Sequence, residues 1–375
     1  MIPKQESLEV AGLIREWLKK EVSPVCGEFD ERGEFPKELY EQMTELGLNI
    51  MAIPEEYGGL GLSTEAQTLI AECFGEYEVG LGSAVGANAS AVHLVESAGT
   101  DLQKKIFFDS LCAGGWAAFG LTEPDAGSNA AAIKTTAVKD GDDYVLNGSK
   151  CFITNGGIAS VYVVMATVDR SLGAKGIACF LVERSREGLS VGKHENKMGI
   201  RLSNTTDVIL ENVRIPKELM IAAPGDGYRV ALRTLSQSRI FVGGLGVGLA
   251  SRALREAVAY AKVRKQFNKP ISELQAIQFM VADMAMQVEA SRQLVYHTAE
   301  LVDMGRPYAK YSSMSKCYGA DMAMKVAVDA LQVFGGFGYM REYPMEKLVR
   351  DAKILQIYEG TNQIQRMIIA GHLFK

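Results

Sequence analysis

The chain has 375 residues, 47% of them hydrophobic and 23% charged, which suits a soluble protein with two or three cores and argues against disorder or a repetitive polymer. Its formal net charge of −5 at pH 7 argues against an electrostatic nucleic-acid surface, although a local basic pocket for a phosphorylated small molecule stays open. The six cysteines (Cys26, Cys73, Cys112, Cys151, Cys179 and Cys317) form no C-x-x-C pair, the pattern of reduced thiols in a cytoplasmic protein rather than a disulfide framework. Met1 to Leu13 is charged and lacks the apolar h-region of a secretory signal. The uncharged run Ile240 to Ser251 is too short to cross a bilayer, so no membrane association is expected.

From the amino terminus to about residue 116, apolar residues recur at helical spacing: Leu8, Ala11, Leu13, Ile14, Trp17 and Leu18, then Leu39, Met43, Leu46 and Leu48. This predicts a helical domain over residues 1–116. Beyond Trp116 the pattern changes to short runs rich in Val, Ile, Tyr, Phe and Thr, including Lys134 to Lys139, Tyr144 to Leu146, Cys151 to Thr154, Val161 to Val168, Gly176 to Val182, Leu189 to Lys193 and Val208 to Ile215. Asp140-Gly141-Asp142-Asp143 marks a turn, and Asn147-Gly148 is a second hairpin signal. No long helix interrupts these runs, so residues 117–224 are expected to form an antiparallel β domain. Past Pro224 the helical period returns, with long candidates at Tyr228 to Arg264, Ser272 to Met304 and Tyr308 to Phe334, a bundle pattern over residues 225–375. Gly243, Gly244, Gly246 and Gly248 inside the first of these each cost about 1 kcal/mol relative to alanine, so a close backbone approach, to a helix or a ligand, must offset them.

Several chemistries are disfavoured. Gly244 to Gly248 superficially resembles a dinucleotide fingerprint, but Leu249 follows and no strand precedes it. The four histidines are scattered and form no H-E-x-x-H, and there is neither a G-x-S-x-G elbow nor a phosphate-binding G-x-x-x-x-G-K-[ST] loop. What remains is a set of glycine- and hydroxyl-bearing loops: Phe119 to Asn129, Arg264 to Phe267, Gln332 to Gly336, and Ile354 to Gln365 around Glu359. Thr361 can cap a helix starting at Asn362, which leaves Glu359 at the hinge between two elements. Taken alone, a loop glutamate is more often solvated than catalytic, and each of the other loops could be an ordinary turn, helix end or glycine cap.

Together, in order and spacing, these segments resemble the acyl-CoA dehydrogenases over essentially the full chain. The resemblance is carried by Leu121-Thr122-Glu123-Pro124 through Ser128, Asn147 to Lys150 with Phe152 to Gly156, Lys197 to Arg201, Arg264 to Phe267, Gln332 to Gly336, and Ile357 to Thr361. It implies an α+β fold with an amino-terminal helical domain, a middle antiparallel β domain and a carboxy-terminal four-helix bundle. It further implies non-covalent FAD, an acyl-CoA substrate, an electron-transferring flavoprotein as partner, and a homotetramer built from dimers.

Carried across, the resemblance implies that Phe119, Leu121, Thr122, Gly127, Ser128, Phe152, Ile153 and Thr154 line the flavin. Arg264, Lys265, Gln266, Phe267, Leu274, Gln275, Gln332, Val333, Phe334, Gly335 and Gly336 would hold the ADP half of FAD across a subunit boundary, completed by Thr361, Asn362 and Gln363. Ser128, Ser236, Gln237, Ser238, Arg239, Tyr358 and Gly360 would contact the acyl-CoA. Glu359 would remove the α-proton, with the β-hydrogen leaving as hydride to the flavin. Departures from the family pattern are Phe152 where Trp is common, Ser236 where Asp is common, and Asn268 where Gly is common. In branched-chain and long-chain relatives the base sits near position 238, which is Ser here. Gly86, Ala87, Ala89, Gly243 and Gly244 are expected to shape the acyl cavity, and a short or medium saturated chain is the expected substrate. The same-fold alternatives are an enoyl-CoA reductase, an acyl-CoA oxidase or a non-catalytic flavin-binding scaffold.

Overall fold

The computed structural model describes residues 4–374. Six helices open the chain: α1 (Gln5–Trp17), α2 (Cys26–Arg32), α3 (Lys37–Glu45), α4 (Thr64–Tyr77), α5 (Val79–Ala98) and α6 (Asp101–Cys112). Local chemistry sets several of their starts. Ser63 accepts a hydrogen bond from the Ala66 N–H at α4, and Thr100 with Gln103 forms a reciprocal capping box at α6, satisfying backbone donors that the first helical turn leaves free. α4 and α5 are buried along most of their length, which identifies them as core helices.

An eight-stranded sheet follows: β1 (Ala117–Gly120), β2 (Thr136–Asp140), β3 (Asp143–Thr154), β4 (Val161–Thr167), β5 (Ile177–Glu183), β6 (Leu189–His194), β7 (Thr205–Ile215) and β8 (Met220–Ala222). The path runs β6-β7-β3-β2-β4-β5-β8, with β1 joined to β4. The sheet is not wholly antiparallel, which corrects the sequence expectation. β1 lies parallel to β4 with Ala117 opposite Val161, and β2 touches β4 in parallel at Thr136 and Thr167. A parallel pair needs a long crossover, and the intervening β2–β3 hairpin supplies it in place of a helix.

The second hairpin signal makes no turn. Asp140 to Asp143 makes the β2–β3 turn, with Gly141 at φ 65°. Asn147 and Gly148 instead lie inside β3, at a shift in its register with β7. There the Asn147 carboxamide oxygen accepts the Asn212 N–H at 2.8 Å. Asn-Gly is as useful at a bulge as at a two-residue turn, because both need unusual backbone.

The rest of the chain is a helical bundle: α7 (Gly227–Val263), α8 (Gln275–Asp303), α9 (Ala309–Phe334), α10 (Met345–Leu355) and α11 (Asn362–Leu373), with a small ribbon of β9 (Lys265–Gln266) and β10 (Lys269–Pro270) between α7 and α8. α7 is the central strut, packing on α8 and α9 and also on α4 and α5. Its glycines explain how. A Cβ on Gly248 would lie 2.0 Å from the Glu72 carbonyl oxygen, one on Gly244 2.9 Å from that of Thr68, and one on Gly246 2.9 Å from that of Gly319. Backbone meets backbone on both sides of α7, and the contact offsets the helical penalty of glycine. Gly243 and Gly244 therefore serve helix packing against α9 and α4, which corrects their assignment to an acyl cavity. No helix among the described residues is long and apolar enough to cross a membrane.

Candidate active site

A cavity of about 810 Å³ opens where the helical domains and the sheet meet, with Glu359 in its wall. The local sequence dictates the position of this residue. α10 ends at Leu355, the Asn362 N–H reaches back to the Gln356 carbonyl at 3.0 Å, and the Thr361 hydroxyl caps α11 by accepting the Ile364 N–H at 3.3 Å. The reversal between these helices forces two consecutive left-handed residues, Glu359 at φ 57° and Gly360 at φ 89°. Gly360 accepts that conformation freely, whereas Glu359 carries strain of about 1–3 kcal/mol that only a well-determined surrounding sustains. Two other non-glycine residues with positive φ, Phe152 at 57° and Ile200 at 46°, line the same cavity.

Four side-chain contacts hold the carbonyl side of this turn. Arg239 Nε donates to the Glu359 carbonyl at 3.2 Å, Gln365 Nε2 donates to the carbonyls of both Glu359 and Gly360 at 3.1 Å, and Lys316 Nζ donates to that of Gly360 at 2.8 Å. The Glu359 carboxylate accepts the Ser238 hydroxyl at 2.5 Å. Glu359 is half-buried and lines the cavity. Burial pushes its pKa above the usual carboxylate range, and the Ser238 hydrogen bond and the charges of Arg239 and Lys316 oppose that rise. A carboxylate poised in this way suits proton abstraction.

The same cavity is lined by Phe119, Leu121, Thr122, Gly127, Ser128, Phe152, Ile153 and Thr154, all drawn from two segments of the sheet domain. A buried pair pins these segments together. Lys150 on β3, fully buried, donates to Glu123 at 2.7 Å, and Glu123 also accepts the backbone N–H of Thr135 at 3.0 Å. The Cys151 N–H joins the Thr122 carbonyl at 2.9 Å. The loop thus presents Thr122 to Ser128 on a rigid base.

Arg239, Tyr358 and Gly360 line the cavity as well, but the neighbours of Arg239 do not. Ser238 binds Glu359 from behind, Gln237 contacts His93 at 3.3 Å, and Ser236 belongs to a separate surface hollow with Arg233, Arg306 and Lys310. Of the small residues, Ala87 lines the main cavity, while Gly86 and Ala89 border a water-sized chamber beside it.

A second hollow, of about 630 Å³, gathers Arg264, Gln266, Phe267, Leu274, Val333, Phe334, Gly335 and Gly336. Lys265, Gln275 and Gln332 are exposed beyond its lining. Phe267, at φ 52° and 85% exposed, projects its ring outward from the β9–β10 ribbon. Thr361, Asn362 and Gln363 line neither space: Thr361 caps α11, Gln363 is exposed, and Asn362 is buried against α9, donating to the Cys317 carbonyl and to Asp321.

The loop Glu195 to Ile200, whose residues suggest no site role by themselves, completes the cavity wall. Its signal was Gly199, where a Cβ would lie 2.5 Å from the Arg350 carbonyl oxygen. Ile200 is held in its unusual conformation by donating its N–H to Asp351 at 2.6 Å.

Three family profiles match the chain in succession: acyl-CoA dehydrogenase N-terminal domain over residues 4–115, middle domain over 118–213 and C-terminal domain over 225–374. The chain belongs to the acyl-CoA dehydrogenase family. Butyryl-CoA dehydrogenase from Megasphaera elsdenii superposes with a TM-score of 0.97 at 39% identity, covering 100% of both chains. A chain in the structure described for the electron transferring flavoprotein of Acidaminococcus fermentans superposes with a TM-score of 0.96 at 42% identity, over 100% of this chain and 99% of that one. The acryloyl-CoA reductase (NADH) of Anaerotignum propionicum is 41% identical over 366 residues, 97% of this chain and 93% of the relative.

This acyl-CoA dehydrogenase is accordingly an oxidoreductase with FAD as its cofactor, and the cavity fits that group. An added Cβ on Gly127 would meet nothing within 4 Å, so backbone there can approach a ring. Thr205 also lines the space, and its buried hydroxyl has no partner among the described residues, so a polar ring edge there would satisfy it.

Proposed function

We propose that this enzyme removes hydrogen from the α and β carbons of a short- or medium-chain acyl-CoA to give the trans-2-enoyl-CoA, with Glu359 as the base. The observation that carries the reading is the half-buried Glu359 carboxylate in the wall of a cavity also lined by Phe152 and Thr154, on a turn whose carbonyls are tied back into the protein. A hydrogen α to a thioester carbonyl is weakly acidic, so its removal needs a carboxylate in a dry pocket and donors for the developing enolate. With the Glu359 and Gly360 carbonyls bound from behind by Arg239, Gln365 and Lys316, the N–H groups of the turn are free for the thioester oxygen; no protein acceptor engages the Glu359 N–H among the described residues.

Phe119 to Ser128 and Phe152 to Thr154 would hold the flavin, and the second hollow, with Arg264, Gln266 and Phe334 to Gly336, suits its ADP half brought by a neighbouring subunit of a homotetramer. Bound FAD would supply the hydride acceptor. The resemblance to a chain studied with an electron-transferring flavoprotein supports such a protein as electron acceptor.

Anaerobic bleaching of the FAD-loaded protein by acyl-CoAs of graded length tests the reading. Bleaching that peaks at short or medium chains is expected, and its absence with every acyl-CoA would overturn it. The 41% identical acryloyl-CoA reductase favours a second reading, enoyl-CoA reduction. That reading predicts faster turnover of an enoyl-CoA by reduced protein than of an acyl-CoA by oxidised protein. Slow reoxidation of bleached protein in air separates both from an oxidase.

A further inference from the structure

Behind the catalytic turn lies an ammonium group that no sequence motif singles out. Lys316, on α9, is completely buried, and its Nζ donates to the Gly360 carbonyl and to Asn362 Oδ1, each at 2.8 Å. Both acceptors are neutral. A buried cation without a carboxylate at hydrogen-bond distance is costly, and a cavity-side anion is what offsets such a cost. Glu359, one residue before Gly360, is the foremost group favouring the charged form of Lys316, while burial is the dominant opposing influence.

We propose that Lys316 is a positioning residue for the base: it fixes the Glu359-Gly360 turn through the Gly360 carbonyl and sets an ammonium group behind that turn, one residue along the chain from the carboxylate. The other groups around it are Arg239 from α7, Cys317 and Asp321 from α9, and Arg366 from α11, which pairs with Asp321 at 2.6 Å. Arg239 reinforces the effect, since it is buried against the Glu359 carbonyl, whereas Asp321 is already engaged by Arg366, Gln356 and Asn362. When Glu359 takes a proton, the Arg239 guanidinium remains as a cation in the cavity wall, held against the Glu359 carbonyl. The field of the site then favours the enolate that the abstraction leaves behind.

The rate arm of the test rests on Glu359 being the base, and the spectroscopic arm does not. Lys316→Met removes the charge and both hydrogen bonds, and Lys316→Gln retains a donor without charge. Loss of a nearby opposite charge raises a carboxyl pKa, so the acidic limb of the anaerobic bleaching profile moves up in both variants by roughly one pH unit. The infrared band of the protonated carboxyl that Glu359→Gln abolishes, followed against pH, moves by the same amount. Asn362→Asp paired with Asp321→Asn, which sets a carboxylate on the ammonium without opposing a second one, shifts both readouts in the same direction and covers the case of a Lys316 variant that does not fold. An infrared shift without any bleaching in the parent protein would sustain the coupling and refute the base assignment. A wild-type titration in every folded variant would overturn the proposal, as would loss of fold in all three, which would assign Lys316 to stability alone.

Discussion

Replacing Ser238 with Ala should move the pH dependence of the reaction without abolishing it. The Ser238 hydroxyl is nearly buried and donates to the Glu359 carboxylate at 2.5 Å; its other acceptor within reach is the Leu235 carbonyl at 3.2 Å. One hydroxyl carries one proton, so it serves the ionised carboxylate and turns to Leu235 when Glu359 is protonated. A hydrogen bond to a charged group contributes about 1.5–3 kcal/mol, and one pKa unit corresponds to about 1.4 kcal/mol. Taking the lower end, because Arg239 and Lys316 still oppose protonation, the variant loses about one unit of carboxylate stabilisation. The sign follows from burial: the pKa of Glu359 is already raised, and loss of the donor raises it further, so the active carboxylate appears only at higher pH. Stopped-flow bleaching by an acyl-CoA, measured anaerobically across pH, should show the acidic limb displaced upward by about one unit, with the plateau rate within a few fold. Ser238→Thr keeps the hydroxyl and should keep the wild-type limb. An unmoved or downward limb in Ser238→Ala would refute the reasoning.

Two further expectations concern the scaffold. Gly248→Ala should lower stability by roughly 3 kcal/mol, since overpacking here strikes the Glu72 carbonyl oxygen at 2.0 Å rather than a flexible side chain, whereas Gly12→Ala in α1, with nothing within 4 Å, should raise it by up to about 1 kcal/mol; denaturation midpoints compare the two. Lys150→Met strands the buried Glu123 carboxylate, a loss of about 3–5 kcal/mol that should loosen the Thr122 to Ser128 loop and weaken FAD retention, read as flavin absorbance per protein after dialysis. The double variant Lys150→Met with Glu123→Gln should recover part of that loss.

The parts of this site that the sequence reveals are those governed by local backbone chemistry. Thr361 announces the start of α11 and so the turn that holds Glu359, and the glycines of α7 announce a close backbone approach because their helical cost demands a contact, though not that a helix rather than a ligand makes it. Asn147-Gly148 has the composition of a hairpin turn yet sits at a register shift within β3, because bulges and hairpin turns recruit the same residues. The partners of Glu359 are invisible locally for a different reason: Ser238 is 121 residues away in sequence, and Lys316 reaches Gly360 across 44. A lysine in a helix ordinarily points to water, and only the packing of α9 against the α10–α11 turn reveals that this one does not.

The central claim is that Glu359 is the base. Glu359→Gln keeps the size and the left-handed turn while removing the ionisable group, so the protein should remain yellow and still bind acyl-CoA. Its anaerobic bleaching rate should fall by at least about a hundredfold, the scale of a lost general base. Bleaching at the wild-type rate in that variant would contradict the account.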